Sequence, residues 1–155
     1  MIDNFSEKYA FLSNFYPTDG ILINIDGQEW IYCDTVEHAF QASKTNIPEL
    51  RKKIALAKTP GKAKRLGRKV PLKDDWEESK VGIMQQFLMQ KFANPELREK
   101  LLATGDEELI EGNTWHDNFY GDCHCDKCKD ISGKNMLGKL LMQERDRIKK
   151  INRGE

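Results

Sequence analysis

Glu37 and Lys44 are the first residues whose types and spacing suggest chemistry. They lie seven positions apart in DTVEHAFQASK, where Val36, Ala39 and Phe40 recur at helical spacing. At about 100° per residue, positions seven apart return to within roughly 20° of one direction, so a polar stripe borders the apolar face. Glutamate and lysine are residue types that can carry a proton and supply an amine nucleophile. Spacing alone favours a different interpretation, in which Glu37 completes a capping box and Lys44 is a solvated cation at the helix end.

Asp117 is the second candidate, in the segment NTWHDNFYG. A carboxyl group bracketed by aromatic residues, here Trp115 and Phe119, can have a raised pKa and can donate or accept a proton. Asp is also an ordinary turn residue, and the local sequence supports the two interpretations equally. The neighbouring His116 is less favoured, because a single histidine in a polar loop is more often a bystander than a catalyst.

Three cysteines crowd into six positions of CHCDKC: Cys123, Cys125 and Cys128. With His116 or His124, they include enough ligands to hold zinc tetrahedrally. Zinc fingers usually present two separated ligand pairs, however, and the Cys-x-Cys spacing predicts strained ligation. The sequence therefore leaves a zinc site open but favours free thiols in a loop.

Aromatic residues concentrate in 9–16 and 115–120, with Trp30 and Trp76 elsewhere. Such rings stack on a nucleobase when they converge on a pocket, but individually they are more often core residues.

Length and composition limit the number of domains and the classes of function that these candidate residues can belong to. The 155 residues have the length of one domain, and we expect a single domain over 1–155. Lys+Arg and Asp+Glu both number 25, which argues against a chain whose main task is to neutralise a nucleic-acid backbone. No leader-like or membrane-spanning apolar run appears, and the cysteine pattern, with Cys33 alone, suits a reducing compartment. We therefore expect a cytoplasmic protein.

The elements that must position these residues are mostly helical. Asp26-Gly27 between two apolar runs predicts a β-hairpin with a type I′ turn, and the preceding YAFLSNFYP predicts a short strand or a loop. A helix is expected over about 35–45, capped by Asp34, and Pro48 and Thr59-Pro60 each predict another helix start. Later helices are expected from Asp75 to Asn94, from Pro95 to Thr104, and over about 134–150; ELIEGN predicts a short strand or extended segment.

The whole pattern resembles a known family. FLSNFYP, DTVEHAFQASK, AKRLGRKVPLKDDWEESKVGIM, KFANPELREKLLATGDEELIEGNTWHDNFYG and GKNMLGKLLM occur in that order. Together they resemble the YbiA-like family, also called the NADAR (NAD- and ADP-ribose-associated) superfamily, from about residue 5 to residue 148. The resemblance implies a single α+β domain, mostly helical, with a small antiparallel sheet formed by the N-terminal hairpin.

The resemblance also implies an activity and a set of site residues. Family members include N-glycosidases that act on ribosylamino pyrimidine phosphates of riboflavin biosynthesis and hydrolases that remove ADP-ribose from guanine. The implied catalytic residues are Lys44, Glu37 and Asp117. The implied substrate-binding residues are Phe11, Asn14, Phe15, Trp76, Glu111, Asn113, Trp115 and Asn135.

The expected mechanism is a covalent one. Lys44 would attack C1 of the opened ribose to give a Schiff base, while Glu37 and Asp117 move protons. A carboxylate beside Lys44 raises its pKa whereas attack needs the neutral amine, so desolvation must outweigh Glu37 or Glu37 must take the proton.

No cofactor is expected to be required. The expected partner is a ribosylated nucleobase or an ADP-ribose-type molecule, with ADP-ribosylated DNA or RNA as a further candidate; the oligomeric state is left open. A non-catalytic ADP-ribose or NAD sensor and a small zinc-dependent nucleic-acid module are the rival interpretations.

Overall fold

The computed structural model of the chain describes residues 1–155 without a gap. Two compact units can be distinguished: residues 14–94, here called the hairpin unit, and residues 1–13 with 95–155, here called the loop unit. Six α-helices and one antiparallel strand pair confirm the predicted, mostly helical α+β class.

The hairpin unit begins with the predicted antiparallel strands, β1 (Ile21–Asn24) and β2 (Trp30–Cys33). Ile21 pairs with Cys33 at the open end, and both side chains are buried. The alternation of buried and half-buried residues along β1 is the pattern of a strand with one face on the core.

The predicted type I′ turn of this hairpin is wrong. Such a turn needs positive φ at two successive residues, and in this loop only Gly27 has one, at 93°. The Asp26 carboxylate organises the loop instead, because its Oδ1 accepts hydrogen bonds from the backbone N–H groups of Gln28 (2.9 Å) and Glu29 (2.8 Å). An aspartate that bonds its own following backbone stabilises a longer loop than the two-residue turn.

Helix α1 (Val36–Ala42) is the central element of the hairpin unit and contains the predicted polar stripe. It is shorter than predicted, and the predicted cap at Asp34 is wrong. Thr35 caps the helix, since its Oγ1 accepts a hydrogen bond from the His38 N–H at 3.1 Å. This shift of one residue puts His38 at the position of the expected capping-box carboxylate, so Glu37 does not have that role.

Three further helices surround α1. They are α2 (Pro48–Ala55), α3 (Pro60–Gly67) and α4 (Trp76–Lys91), and α1 packs against all three and against both strands. The prolines open α2 and α3 as predicted, and Thr59 caps α3 through the Lys62 N–H. Helix α4 starts after Asp75 as predicted, although the Asp75 side chain makes no cap bond.

Every residue of α1 is buried, including Glu37, His38 and Gln41. The His38 ring is fully satisfied: Nδ1 lies 2.8 Å from Thr35 Oγ1, and Nε2 lies 2.9 Å from the carbonyl oxygen of Ala57. Since the carbonyl can only accept, Nε2 carries the proton and Nδ1 accepts from the Thr35 hydroxyl. His38 therefore ties the cap of α1 to the end of α2.

The loop unit contains α5 (Pro95–Ala103) and α6 (Met136–Asn152), as predicted within two residues. Its core includes the fully buried Leu101, Leu109 and Leu141. The aromatic segment predicted as a strand or a loop instead contains a 3₁₀ helix over Glu7–Leu12, which buries Phe11 and Leu12. Successive i to i+3 backbone bonds close this turn without any sheet partner, which explains why a strand was the wrong expectation.

Residues 112–135 are largely irregular, as predicted, but contain two short parallel strands, β3 (Gly112–Asn113) and β4 (Asp122–Cys123). Only the end of ELIEGN is therefore a strand, while Leu109 makes an isolated bridge with Ile2. A 3₁₀ turn at Asp126–Cys128 follows β4. None of the helices is long and apolar enough to cross a lipid bilayer.

Thr35→Ala should destabilise the protein more than Thr59→Ala does. Both threonines cap a helix, a contribution of about 1 kcal/mol, but only Thr35 also satisfies a buried histidine nitrogen. Leaving a buried polar group unpaired costs about 1–3 kcal/mol more. Urea unfolding of both variants and of Thr35→Ser measures the difference; equal losses for the two alanine variants would contradict the assigned role of His38.

Candidate active site

The Glu37 side chain lies on α1 and is only 7 % exposed. Its Oε1 accepts a 2.9 Å hydrogen bond from Gln41 Nε2, one helical turn later. Its backbone N–H donates to the carbonyl oxygen of Asn14 at 3.0 Å. Glu37 is thus a buried, oriented carboxylate rather than a surface charge.

Gln41 lies on the same polar stripe of α1 as Glu37, and its side chain has a hydrogen-bond acceptor without a protein partner. Its Oε1 is buried and makes no hydrogen bond within the chain. The atom faces the α-carbon of Gly67 in α3, where any side chain would overlap it. A buried amide oxygen left unpaired costs free energy, so this atom is suited to accept a hydrogen bond from a ligand or from water.

Lys44 lies two residues beyond the end of α1 and is half-buried. Its carbonyl oxygen accepts a 2.8 Å hydrogen bond from the Lys73 N–H, which fixes the backbone at this point. Burial lowers the pKa of the Lys44 ammonium group below its usual value, the Glu37 carboxylate opposes that change, and burial has the larger effect. Desolvation therefore outweighs the neighbouring carboxylate, and the neutral amine forms more readily than in a solvated lysine.

Three more cations lie close enough to Lys44 to lower its pKa further: Arg68, Lys64 and Lys80. None of the three was expected as a site residue. Lys64 and Arg68 lie in the basic run AKRLGRK, but a basic run on a helix is usually a solvated face, and Lys80 lies apart from it. Only the fold brings these charges near a half-buried amine.

Asn14 and Trp76 are the other predicted site residues of the hairpin unit. Asn14 Nδ2 lies 3.5 Å from Met84 Sδ, and its Oδ1 is buried without a hydrogen-bond partner, so it is a second unpaired acceptor. Trp76 is 5 % exposed and its ring packs on Phe40 at 5.0 Å between centroids. Trp76 therefore supports α1, whereas Phe15 is 41 % exposed.

In the loop unit, Asn113 and Asn135 use their side chains on the backbone. Asn113 Oδ1 accepts from the N–H groups of Trp115 (3.2 Å) and Asp117 (3.1 Å), and its Nδ2 donates to the Asp117 carbonyl oxygen at 2.8 Å. Asn135 Oδ1 accepts from the Glu111 N–H at 2.9 Å. The amides of these two predicted binding residues thus organise the loop that contains the others.

Asp117 caps a turn through one of its oxygens. Its Oδ1 accepts hydrogen bonds from the backbone N–H groups of Phe119 and Tyr120, both at 3.0 Å. This is the turn role that the sequence supports as strongly as the catalytic one. The other predicted aromatic residues here differ in exposure: Phe11 is buried, and Trp115 is 56 % exposed.

The cysteines of CHCDKC also gather in the loop unit. The sulfur atoms of Cys123, Cys125 and Cys128 and a ring nitrogen of His116 all lie within 4.8 Å of one another. Cys33 lies in the hairpin unit, where burial raises the pKa of its thiol to about 12, which makes it a poor nucleophile.

Known proteins resemble this chain over nearly its whole length. Residues 3–149 match the NADAR domain family. The solution structure of YbiA from Escherichia coli superposes with a TM-score of 0.74 at 35 % identity, covering all of this chain and 90 % of YbiA. The hairpin and the six helices thus form a YbiA-like fold.

Curated relatives have names that concern glycosidic bonds and riboflavin. A protein of Nostoc punctiforme named N-glycosidase is 37 % identical over 151 residues, which are 94 % of this chain and 89 % of that protein. A riboflavin biosynthesis protein of Vibrio vulnificus is 35 % identical over 145 residues, or 92 % of this chain. The chain spans only 36 % of that Vibrio protein and 23 % of a similar chloroplastic riboflavin biosynthesis protein of maize.

The family match over almost every residue, the shared fold and the N-glycosidase relative agree with one another. They also agree with the family resemblance that the sequence motifs indicate, including DTVEHAFQASK, which contains α1. The chain belongs to the NADAR domain family.

Proposed function

We propose that this protein is an N-glycosidase that hydrolyses the C–N bond between a ribose and a base, with Lys44 as the covalent nucleophile. The observation that carries the proposal is the state of Lys44, an amine whose pKa burial lowers although the Glu37 carboxylate is close. A solvated lysine at a helix end would have neither property. The N-glycosidase name of the Nostoc relative supports the same reaction class.

The chemistry balances without a cofactor. Opening of the ribose ring exposes C1, and the neutral Lys44 amine adds to that carbon as the bond from C1 to the base nitrogen breaks. The Lys44 ammonium group first passes its proton to the Glu37 carboxylate, which leaves the neutral amine, and the resulting Glu37 carboxylic acid protonates the leaving base. Water then hydrolyses the Schiff base, which releases the sugar and restores the lysine, so one water is consumed for each bond broken.

The charges around Lys44 indicate the class of substrate. Arg68, Lys64 and Lys80 all act on the Lys44 amine, and a neutral sugar would not need them. A phosphate or diphosphate attached to the ribose would be attracted to these cations while leaving C1 free. Both proposed substrates, a ribosylamino pyrimidine phosphate and an ADP-ribosylated guanine, contain such a group.

Asp117 keeps its proposed part in proton transfer as an implication of the family resemblance. Its Oδ1 accepts two backbone hydrogen bonds, which hold the carboxylate in one orientation. We propose cytoplasmic turnover of a ribosylated base, including the removal of ADP-ribose from nucleic acid, as the biological setting.

Turnover distinguishes this enzyme from a sensor that only binds ADP-ribose or NAD. The purified chain should release free base and ribose phosphate from a ribosylamino pyrimidine phosphate, or guanine and ADP-ribose from ADP-ribosyl-guanine; the two compounds are assayed side by side by chromatography. Tight binding of either compound without release of base would overturn the glycosidase proposal in favour of the sensor.

Lys44→Ala and Lys44→Arg should both lose several orders of magnitude in turnover and keep the fold. Alanine removes the amine, and a guanidinium remains protonated and does not readily form an imine. Borohydride added during turnover should attach the ribosyl group to the wild-type protein, and peptide mapping should find it at residue 44. An active arginine variant, or trapping at another lysine, would contradict the covalent role.

The same amine predicts a pH dependence. Because the pKa of Lys44 is lowered, its neutral form appears at a lower pH than for an exposed lysine, whose pKa is about 10.4. The rate should therefore rise with pH and level off below that value. Lys80→Gln should move this rise to higher pH, since it removes a cation that lowers the pKa of Lys44.

Gly67→Ala should reduce kcat/KM at least tenfold, about 1.4 kcal/mol, and should also lower stability, because it displaces a buried amide. The new methyl group would overlap Gln41 Oε1 and lie 2.9 Å from Gln41 Cδ, so it must displace the amide that bonds Glu37. Alanine is also the better helix former, so weaker activity would not reflect a melted α3.

Gly61→Ala is the matched control in the same helix. Its added methyl would lie 3.7 Å from its nearest neighbour, an ordinary contact, and should leave the kinetics unchanged. Equal kinetics for the two alanine variants and the wild type would show that the Gln41 amide does not contribute to the reaction.

A further inference from the structure

We infer that the loop unit binds one zinc ion through His116, Cys123, Cys125 and Cys128. Each of the four residues offers one ligand atom, and these atoms all lie within 4.8 Å of one another. A zinc ion with bonds of about 2.3 Å to sulfur and 2.0–2.1 Å to nitrogen separates its ligands by roughly 3.5–3.8 Å. The observed sulfur-to-nitrogen distances from His116 Nδ1 are 3.4 Å to Cys128 and 3.3 Å to Cys125.

The backbone removes the objection that Cys-x-Cys spacing strains ligation. Cys123 ends strand β4, and Cys125 is extended at φ −71° and ψ 163°. Alternate residues of an extended chain present their side chains on one face, so Cys123 and Cys125 share a face and His124 takes the other. His124 accordingly lies outside the cluster, with its ring next to Gly112.

The third thiol is brought in by the short helix that follows. In Asp126–Cys128, the Cys128 N–H donates a 3.0 Å hydrogen bond to the Cys125 carbonyl oxygen. Residues three apart in a 3₁₀ turn lie directly above one another, which places Cys128 over Cys125. Ligands two and three residues apart are thus both compatible with this backbone.

His116 contributes twice. Its ring supplies the nitrogen ligand, and its backbone N–H donates to Cys123 Sγ at 3.3 Å. A backbone donor to a sulfur stabilises negative charge there, as expected for a thiolate ligand. His116 has a φ of 70°, a left-handed conformation that turns both its N–H and its ring toward the cysteines.

The donor set identifies the metal and the kind of site. Three thiolates with one imidazole in a compact group favour zinc over the hard cations, which prefer oxygen. Four protein ligands leave no open position, so the ion would be structural. Binding would release three thiol protons, and it would fix His116 and therefore the position of the adjacent Asp117.

Metal content of the 155-residue chain tests this inference directly. Protein purified from zinc-supplemented medium should contain about one zinc per chain by elemental mass spectrometry. Replacement of zinc by Co²⁺ should produce the visible absorption of tetrahedral cobalt with a thiolate charge-transfer band. A wild-type protein that contains no zinc and gives no such spectrum with Co²⁺ would overturn the inference, whatever its activity.

Single variants identify the ligands. Cys128→Ser should weaken the thiolate charge-transfer band of the cobalt form, because two of three thiolates remain, and His116→Ala should weaken retention of zinc against a competing chelator at least tenfold. His124→Ala and Cys33→Ser are the matched controls, since each removes a histidine or a cysteine outside the cluster. Zinc retention that falls equally in His124→Ala would overturn the assignment of His116 as the nitrogen ligand.

Discussion

The burial of a polar helix is the constraint on which the hairpin unit depends. Helix α1 has no exposed residue, yet it contains a glutamate, a histidine and a glutamine. Polar groups taken out of water cost several kcal/mol unless they are bonded. Hydrogen bonds meet that requirement, since His38 bonds Thr35 and Ala57, and Gln41 bonds Glu37. These bonds also fix where the cap of α1 and the end of α2 must lie. Gln41 Oε1 is the exception, because no group of the protein donates to it, and it remains an acceptor for water or a ligand.

The same environment bears on the proposed reactivity of Glu37 and Lys44, two residues of opposite charge. The Gln41 amide orients the Glu37 carboxylate through a hydrogen bond to Oε1. Glu37 raises the pKa of the Lys44 ammonium group, whereas burial and the neighbouring cations lower it, and burial has the largest effect. The basic residues of α3 and α4 thus influence the proton on Lys44 and can also attract an anion. Reactivity and substrate charge would then have one electrostatic origin.

The sequence predicts the regular elements well because their signals are local. Prolines at 48, 60 and 95 each open a helix, and the apolar runs around Asp26-Gly27 form the expected strand pair. The errors occur where a side chain competes for backbone groups. Thr35 takes the cap from Asp34 because its hydroxyl also serves the buried His38, a partner that local sequence does not reveal. Asp26 likewise replaces the expected tight turn through its own carboxylate.

The candidate site was predictable only in part. Helical spacing places Glu37 and Lys44 on one stripe but favours a structural role for them, and only the family motifs select them as site residues. The cations near Lys44 become its neighbours only in the fold. The amides of Asn113 and Asn135 bond the backbone, which no pattern in the sequence indicates. The cysteine cluster is visible in the sequence, but its compatibility with one ion depends on an extended residue and a 3₁₀ turn.

The seven-residue length of α1 has a consequence for the order of folding. An isolated helix shorter than about 12 residues is marginal in water, and α1 is well below that length. Its stability must come from the strands and helices packed around it, whereas α4, with 16 residues, can begin to form through local contacts. The central helix is therefore expected to be consolidated late. Glu37 and Gln41 would reach their final positions only as the surrounding chain closes, so early folding intermediates would lack the assembled stripe.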